Sequence, residues 1–384
     1  MKLFEVYPLY DVEPVKAYDS TVVDKNGTKY LDLYGGHAVI SIGHSHPHYV
    51  KRIQDQVAQI GFYSNAVQNS LQSDLAEKLG QMSGCTNYSL FLCNSGAEAN
   101  ENALKLASFH TGKSRVIAFH NGFHGRTSAA VAATDNKSIN APLNQQQNVT
   151  FLPLNDFELA KTEIQKGDVC AVIIEPIQGV GGLDEPNTEF LQNIEKVCKE
   201  SQVVLILDEV QSGFGRSGKF FAHQHHGITP DIISIAKGMG NGFPVGGIMI
   251  APHIKASYGL LGTTFGGNHL ACAAVMAVLE VMETEELLDN TRLTGEYFIA
   301  EAKKLPGVKK IKGRGLMLGL EFDFEVGALR KELIYQEHIF TGGAKNKKVL
   351  RILPPLNIGK QEIDQFFSSL KKVLEKAEFL SLKG

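Results

Sequence analysis

The stretch VVLILD (203–208), read together with IISIAK (232–237), decides the fold of this chain. Each is a short apolar run, rich in β-branched residues, that stops at a charge. Continuous apolar runs of this length, without polar alternation, belong to strands buried on both faces. Asp208 and Lys237 would then stand at one edge of a parallel sheet, the edge where open α/β sheets bind ligands. A strand-end acid can simply cap a helix, and a strand-end lysine can simply reach water. The two also form the pair that a pyridine-aldehyde cofactor requires. The amine can form a Schiff base, and the acid can keep the ring nitrogen protonated.

Working outward, helical and strand patterns alternate. Helices are predicted over 71–82, 97–110 and 188–201, with strands over 88–93, 116–119, 149–152, 171–175 and 247–250. A long helical region runs from 268 to about 305. Short strands over 308–311, 316–322 and 348–352 follow, with helices over 328–337 and 361–377; the first 50 residues read as strands and turns. The expected class is α/β. A large domain over 51–270 would hold a mostly parallel sheet covered by helices. Both termini, 1–50 and 271–384, would form a smaller α+β domain. The tail, 378–384, carries little pattern.

Bulk composition excludes several classes. With 384 residues, 43% hydrophobic and 21% charged, the chain is an ordinary globular protein too long for one simple core. A net charge of −3 gives no basic surplus for nucleic acid or an anionic membrane. The richest apolar segment, 270–282, is interrupted by Glu280 and falls short of a membrane span. The N-terminus has acids by Glu5 and does not read as a signal peptide. Five cysteines without a CxxC spacing, three of them (Cys170, Cys198 and Cys272) in apolar segments, read as core residues in a reducing cytoplasm.

Other stretches carry candidate chemistry. In NSGAE (94–98), Ser95 and Glu98 match a capping box, and the small Ser95, Gly96 and Ala97 would let a phosphate approach a helix N-terminus. GFGRSGKF (213–220) imitates a nucleotide loop. However, Phe220 stands where a magnesium hydroxyl is needed, and the next strand ends in Lys237 rather than a ribose-binding acid. His44, His46 and His48, with His37 nearby, could suggest the metal centre of a hydrolase, but GHSHP (43–47) reads better as a turn into a helix beginning at Pro47. His223, His225 and His226 read as a solvated helix face. In FHNGFHGRT (119–127), Phe123 could stack on a flat ring and Arg126 could hold a carboxylate. Arg351, set among apolar residues in VLRILPP (349–355), calls for an anionic partner.

Assembled, these motifs resemble the class III aminotransferases, the fold-type I pyridoxal 5'-phosphate enzymes, and within them the acetylornithine/succinylornithine branch. NSGAEANENALKLA (94–107), GFHGRT (122–127), LDEVQSGFGRSG (207–218), IAKGMGNGFPVGG (235–247), TTFGGN (263–268) and RILPPLN (351–357) occur in family order. The resemblance implies that Lys237 carries the cofactor and shuttles the proton, while Asp208 holds the pyridine nitrogen protonated. It implies that Gln211 bonds near the ring oxygen, that Phe123 stacks on the ring, and that Ser95, Gly96 and Ala97 bind phosphate. Thr264 would reach the phosphate of a neighbouring subunit, giving a homodimer with shared sites. Arg126 would bind the carboxylate of an acylated ornithine, and Arg351 that of glutamate. The reaction implied is transfer of the terminal amine of N2-acetylornithine, or N2-succinylornithine, to 2-oxoglutarate in arginine biosynthesis. Ornithine and 4-aminobutyrate transamination are the alternatives within the family, and a metal-dependent hydrolase the alternative outside it.

Two departures matter. The family's EPIQGE reads EPIQGV here, so Val180 replaces a glutamate that would pair with the arginine at position 351. His37 stands where the branch carries an aliphatic residue and ornithine aminotransferases an aromatic one. His37 would either donate to a polar acyl tail or pack at the dimer interface. His269, where proline is common, has no reading.

Overall fold

The computed structural model describes residues 1–145 and 148–376. Its centre is a seven-stranded sheet. In spatial order the strands are Ser89–Cys93, Gly246–Ile250, Ile232–Ile235, Val204–Asp208, Val169–Ile174, Arg115–Phe119 and Val149–Leu152. Six run the same way. Only Gly246–Ile250 is reversed, pairing antiparallel with both its neighbours.

The apolar runs sort by period two, as pleated strands must. Ile173 and Ile206 join one face, packed with Ala99, Ala103 and Leu104 of the helix Gly96–Thr111. Val172, Leu205 and Leu207 join the other, against Phe190, Leu191 and Ile194 of the helix Thr188–Glu200. Each such side chain contributes roughly 1.5–3 kcal/mol on burial. Both faces are covered, so the strands need no polar alternation, and the expected α/β class holds.

Two smaller sheets flank this unit. Pro14–Tyr18, Thr21–Asp24 and Lys29–Asp32 form an antiparallel set extended by Ile339–Phe340, where Leu31 pairs with Ile339. Lys310–Arg314, Met317–Glu321, Val349–Ile352 and Gly342–Gly343 form the second. The two ends of the chain therefore share a sheet.

The long helical region expected over 268–305 is two helices, His269–Thr284 and Leu287–Ala302. Glu286, with φ 50°, breaks them apart. Helices Ser128–Ala132 and Phe157–Ile164 were not expected. Cys170, Cys198 and Cys272 are buried as expected. His223 and His226 are not on a solvated face. Both are buried, and His223 Nδ1 lies 2.8 Å from the fully enclosed Glu209 carboxylate. The tail expectation for 378–384 lies outside the described residues. Among the described residues, no helix is long and apolar enough to cross a membrane.

Candidate active site

Five of the co-directional strands end at one edge of the sheet, and each passes straight into a segment bearing polar or aromatic groups. Cys93 leads to Ser95, Phe119 to Phe123, Ile174 to Glu175 and Ile235 to Lys237, while Asp208 closes its own strand. The reversed strand begins where the others end, and the preceding Phe243 and Val245 close the wall. Together they line a cavity of about 350 Å³ that holds Asp208 and Lys237.

Asp208 is buried and fully engaged. Its Oδ2 accepts from Asn100 Nδ2 and His124 Nδ1–H, both at 2.7 Å, and its Oδ1 accepts from the Val210 N–H at 3.0 Å. Burial disfavours the His124 cation, but the bond and charge of Asp208, with the charge of Glu175, raise its pKa above the ordinary value. Lys237 is half-buried at the start of a short turn with φ 48°, a left-handed backbone that non-glycine residues rarely adopt. Burial lowers its pKa, opposed by Asp208 and Glu175 and assisted by Arg351, so the neutral amine is favoured relative to an ordinary lysine.

Ser95 is the N-cap of Gly96–Thr111, its Oγ accepting from the Glu98 N–H at 3.1 Å. The Glu98 carboxylate does not complete the box on Ser95. It turns back to the N–H and side chain of Asn94, at 2.8 and 2.9 Å. A Cβ on Gly96 would stand 2.6 Å from Val210 Cγ1, so only a bare backbone fits there. Phe123 lines the cavity, with the exposed Arg126 guanidinium 6.0 Å from its ring centroid.

Gln211 donates from Nε2 to the His37 carbonyl at 3.1 Å, and its Oε1 is buried without a partner. His37 lies in a turn where Gly35, Gly36, His37 and Ala38 all have positive φ. Its ring bonds the Tyr34 hydroxyl and remains exposed in the single chain. Surrounding protein, then Arg351, Lys237 and Arg330, push its pKa down to about 4. Arg351 is buried, and its partners are carbonyls: Nε donates to Gly343 O at 2.5 Å and Nη1 to Gly179 O at 2.8 Å. Among the described residues no carboxylate lies within 4 Å of the Arg351 or the Arg126 guanidinium. Thr264 is exposed and lines no part of this chain's own cavity.

His44, His46 and His48 turn to separate carboxylates, Asp32, Glu285 and Glu280. Among the described residues, no group of three or more His, Cys, Asp or Glu has metal-binding geometry. The cavity does fit pyridoxal phosphate. It offers an amine, a carboxylate at the far wall, an aromatic face, and unpartnered acceptors at Gln211 Oε1 and Asn100 Oδ1. The bare N-terminus of a helix supplies donors for an anion.

Three residues of the site were not singled out from sequence. His124 lies inside FHNGFHGRT (119–127), where nothing local marks it as a partner of Asp208. Asn100 is polar on the helix stripe of Ala103, Leu104 and Ala107, a pattern that marks a buried polar group. Glu175 ends an apolar strand as Asp208 does.

A family model described as aminotransferase class-III matches residues 6–374. Acetylornithine aminotransferase of Bacillus subtilis (strain 168) is 41% identical over 378 residues, covering 97% of each chain. The protein of the same name from Methanosarcina mazei is 38% identical over 94% of this chain and 90% of its own. The crystal structure of ornithine aminotransferase from Toxoplasma gondii ME49 superposes with a TM-score of 0.90 at 27% identity, covering 98% of this chain and 92% of that one. An amine and an acid facing one cavity at the sheet edge, on a chain that the family spans almost end to end, make this protein a class III aminotransferase of fold type I, dependent on pyridoxal phosphate.

Proposed function

We propose that this enzyme moves the terminal amine of N2-acetylornithine, or of N2-succinylornithine, to 2-oxoglutarate, yielding the semialdehyde and glutamate in arginine biosynthesis. One observation carries the reading. Among the described residues, Arg126 and Arg351 have no carboxylate partner; one lies beside Phe123 and one near enough to Lys237 to disfavour its protonated form. Two free guanidiniums suit substrates that each present a carboxylate, and 2-oxoglutarate presents two. The names of the curated relatives support the acetyl substrate.

Pyridoxal phosphate, when bound, supplies the electron sink for a carbon that has lost a proton. The rest falls to the protein. The Lys237 amine, favoured as neutral by burial, takes and returns that proton. Asp208, its carboxylate clamped by Asn100 and His124, would hold the ring nitrogen protonated. Gln211 Oε1 offers an acceptor beside the ring. Ser95, Gly96 and Ala97 present main-chain donors to the phosphate, and Phe123 shields one face. Glu98, tied back to Asn94, keeps its charge off that phosphate.

Thr264 is assigned to the phosphate of a second copy in a cytoplasmic homodimer. In support, Thr264 adjoins Phe265, whose ring lies 5.4 Å from Phe62 in an exposed apolar patch with Tyr63 and Val67. Residues 51–270 would act as the cofactor-binding domain, with 1–50 and 271–384 as the smaller one.

The test is an amine-donor panel on the purified holoenzyme, with N2-acetylornithine, N2-succinylornithine, ornithine and 4-aminobutyrate. A preference for free ornithine, as the Toxoplasma neighbour's name suggests for that protein, would replace the acylated substrate. Lys237→Ala should abolish turnover, and borohydride should fix the cofactor to Lys237 in the wild type. Fixation elsewhere would refute the assignment.

A further inference from the structure

Just beyond the strand Val169–Ile174, Glu175 is 6% exposed and lines the cavity. Among the described residues it has no ion pair within 4 Å, so its charge is met by main-chain N–H groups. Oε1 accepts from the Phe123 N–H at 2.8 Å, and Oε2 from the Gly179 N–H at 3.0 Å. A carboxylate buried on two neutral donors is expensive to keep. Burial, with the charge of Asp208, pushes its pKa up to about 7 against the pull of His124. A residue that merely fills space there would be apolar.

The two donors lead to different parts of the site. Phe123 is the side chain set to cover one face of the cofactor ring. Gly179 turns its carbonyl to Arg351 Nη1 at 2.8 Å. A Cβ at 179 would stand 1.8 Å from Gln211 Oε1, so a side chain there would displace the Gln211 amide. The backbone passes beside that amide with its N–H held by Glu175 and its carbonyl holding Arg351. Where the family places a glutamate at 180 to hold this arginine, Val180 follows. The carbonyl of Gly179 does part of that work instead.

We propose that Glu175 is a positioning residue, and that its carboxylate sets two groups at once: the Phe123 ring directly, and the Arg351 guanidinium through the Gly179 peptide. This rests on the functional reading above, with Arg351 as the binder of the oxo acid's carboxylate.

The experiment compares holoenzymes of wild type, Glu175→Gln, Arg351→Lys and the double variant in separate half-reactions, together with the visible absorbance of the bound cofactor. Glu175→Gln keeps one acceptor oxygen and loses the other. Loss of a bond to a charged group should raise the half-saturating 2-oxoglutarate concentration about tenfold. The absorbance band should move in Glu175→Gln, because Phe123 shifts, and should not move in Arg351→Lys. In the double variant the loss toward 2-oxoglutarate should be smaller than the product of the two single losses, because both act on one guanidinium. Fully multiplicative losses, or an unmoved band in Glu175→Gln, would overturn the proposal. If Glu175→Gln does not fold, Glu175→Asp keeps the charge but cannot span both N–H groups, and the same two criteria apply to it. Failure of the functional reading is seen separately, as a wild type that transfers no amine from an acylornithine.

Discussion

Val180→Glu is the most direct probe of substrate alternation. Val180 borders the cavity, and its backbone is pinned, since its carbonyl accepts from the Lys345 N–H at 2.8 Å. The residue before it supplies the carbonyl bonded to Arg351. A glutamate at 180 would bring a carboxylate toward a guanidinium that has none within 4 Å among the described residues. Two unit charges 4 Å apart attract by about 4 kcal/mol at an effective dielectric of 20. The existing carbonyl bonds and the lost hydration of the new carboxylate offset much of this, leaving about 1–2 kcal/mol. An incoming oxo acid must displace that carboxylate, so its half-saturating concentration should rise roughly 5- to 30-fold. Under the proposed assignment the amine donor's carboxylate goes to Arg126 rather than Arg351, so its rate should change less than about threefold. Rapid mixing of each half-reaction, followed by cofactor absorbance, measures the two effects separately. Unchanged kinetics in both would refute the idea that Arg351 stands unmasked. Equal losses in both would mean that the substitution had disturbed the cavity as a whole.

Three further outcomes are expected. Glu175 has a folded pKa near 7 against an ordinary 4.5, so the native state keeps a proton that the unfolded chain has already released. This contribution is therefore whole below about pH 4.5 and is lost as pH rises toward 7, an effect on the order of 3 kcal/mol. Urea titrations across that window should show a flatter pH dependence for Glu175→Gln, and parallel curves would disprove it. Arg216 is buried and donates to the carbonyls of Ile40, Leu316 and Pro354. Arg216→Met removes a charge that burial already disfavours but leaves three acceptors unmet, so unfolding free energy should fall by about 2–4 kcal/mol; a change below about 0.5 kcal/mol contradicts this. His37→Ala should weaken N2-succinylornithine more than N2-acetylornithine if the imidazole reaches an acyl tail, and parallel losses in kcat/KM would argue against that contact.

Asp208 and Lys237 were legible because a charge that ends an apolar run is a local signal. The run fixes the strand, and the strand fixes the edge. Glu175 gives the same signal after six buried residues, yet its meaning was not legible. Its partner Phe123 lies 52 residues away and reaches it only across separate strands, and the local bond from Gly179, four residues on, carries no signal in the sequence. Asn100 and His124 were hidden for the same reason, since the bond each makes to Asp208 spans 108 and 84 residues. The misreading of His223 shows the converse. A short polar stretch reads as solvated until Glu209, itself enclosed, takes His223 Nδ1 and the N–H groups of Ala222 and His223. The break at Glu286 was masked because the residues on both sides are good helix formers.

Arg216 and Arg351 contrast a structural use of one side chain with the binding use proposed for the other. Both are buried, and both bond only to carbonyls. Arg216 joins three remote segments and has its pKa lowered by burial to about 9. Its charge serves to gather backbone acceptors that would otherwise be buried unpaired. Arg351 spends Nε and Nη1 on the carbonyls of Gly343 and Gly179, and among the described residues Nη2 has no partner. It sits close enough to Lys237 for the two charges to oppose each other. Two carbonyls hold the guanidinium plane without neutralising it, so an arriving carboxylate meets an oriented cation with donors to spare. An acid at position 180 would orient the same plane and cancel its charge. Under the role proposed for Arg351, the choice of main-chain oxygens over a carboxylate sets how readily the oxo acid is admitted.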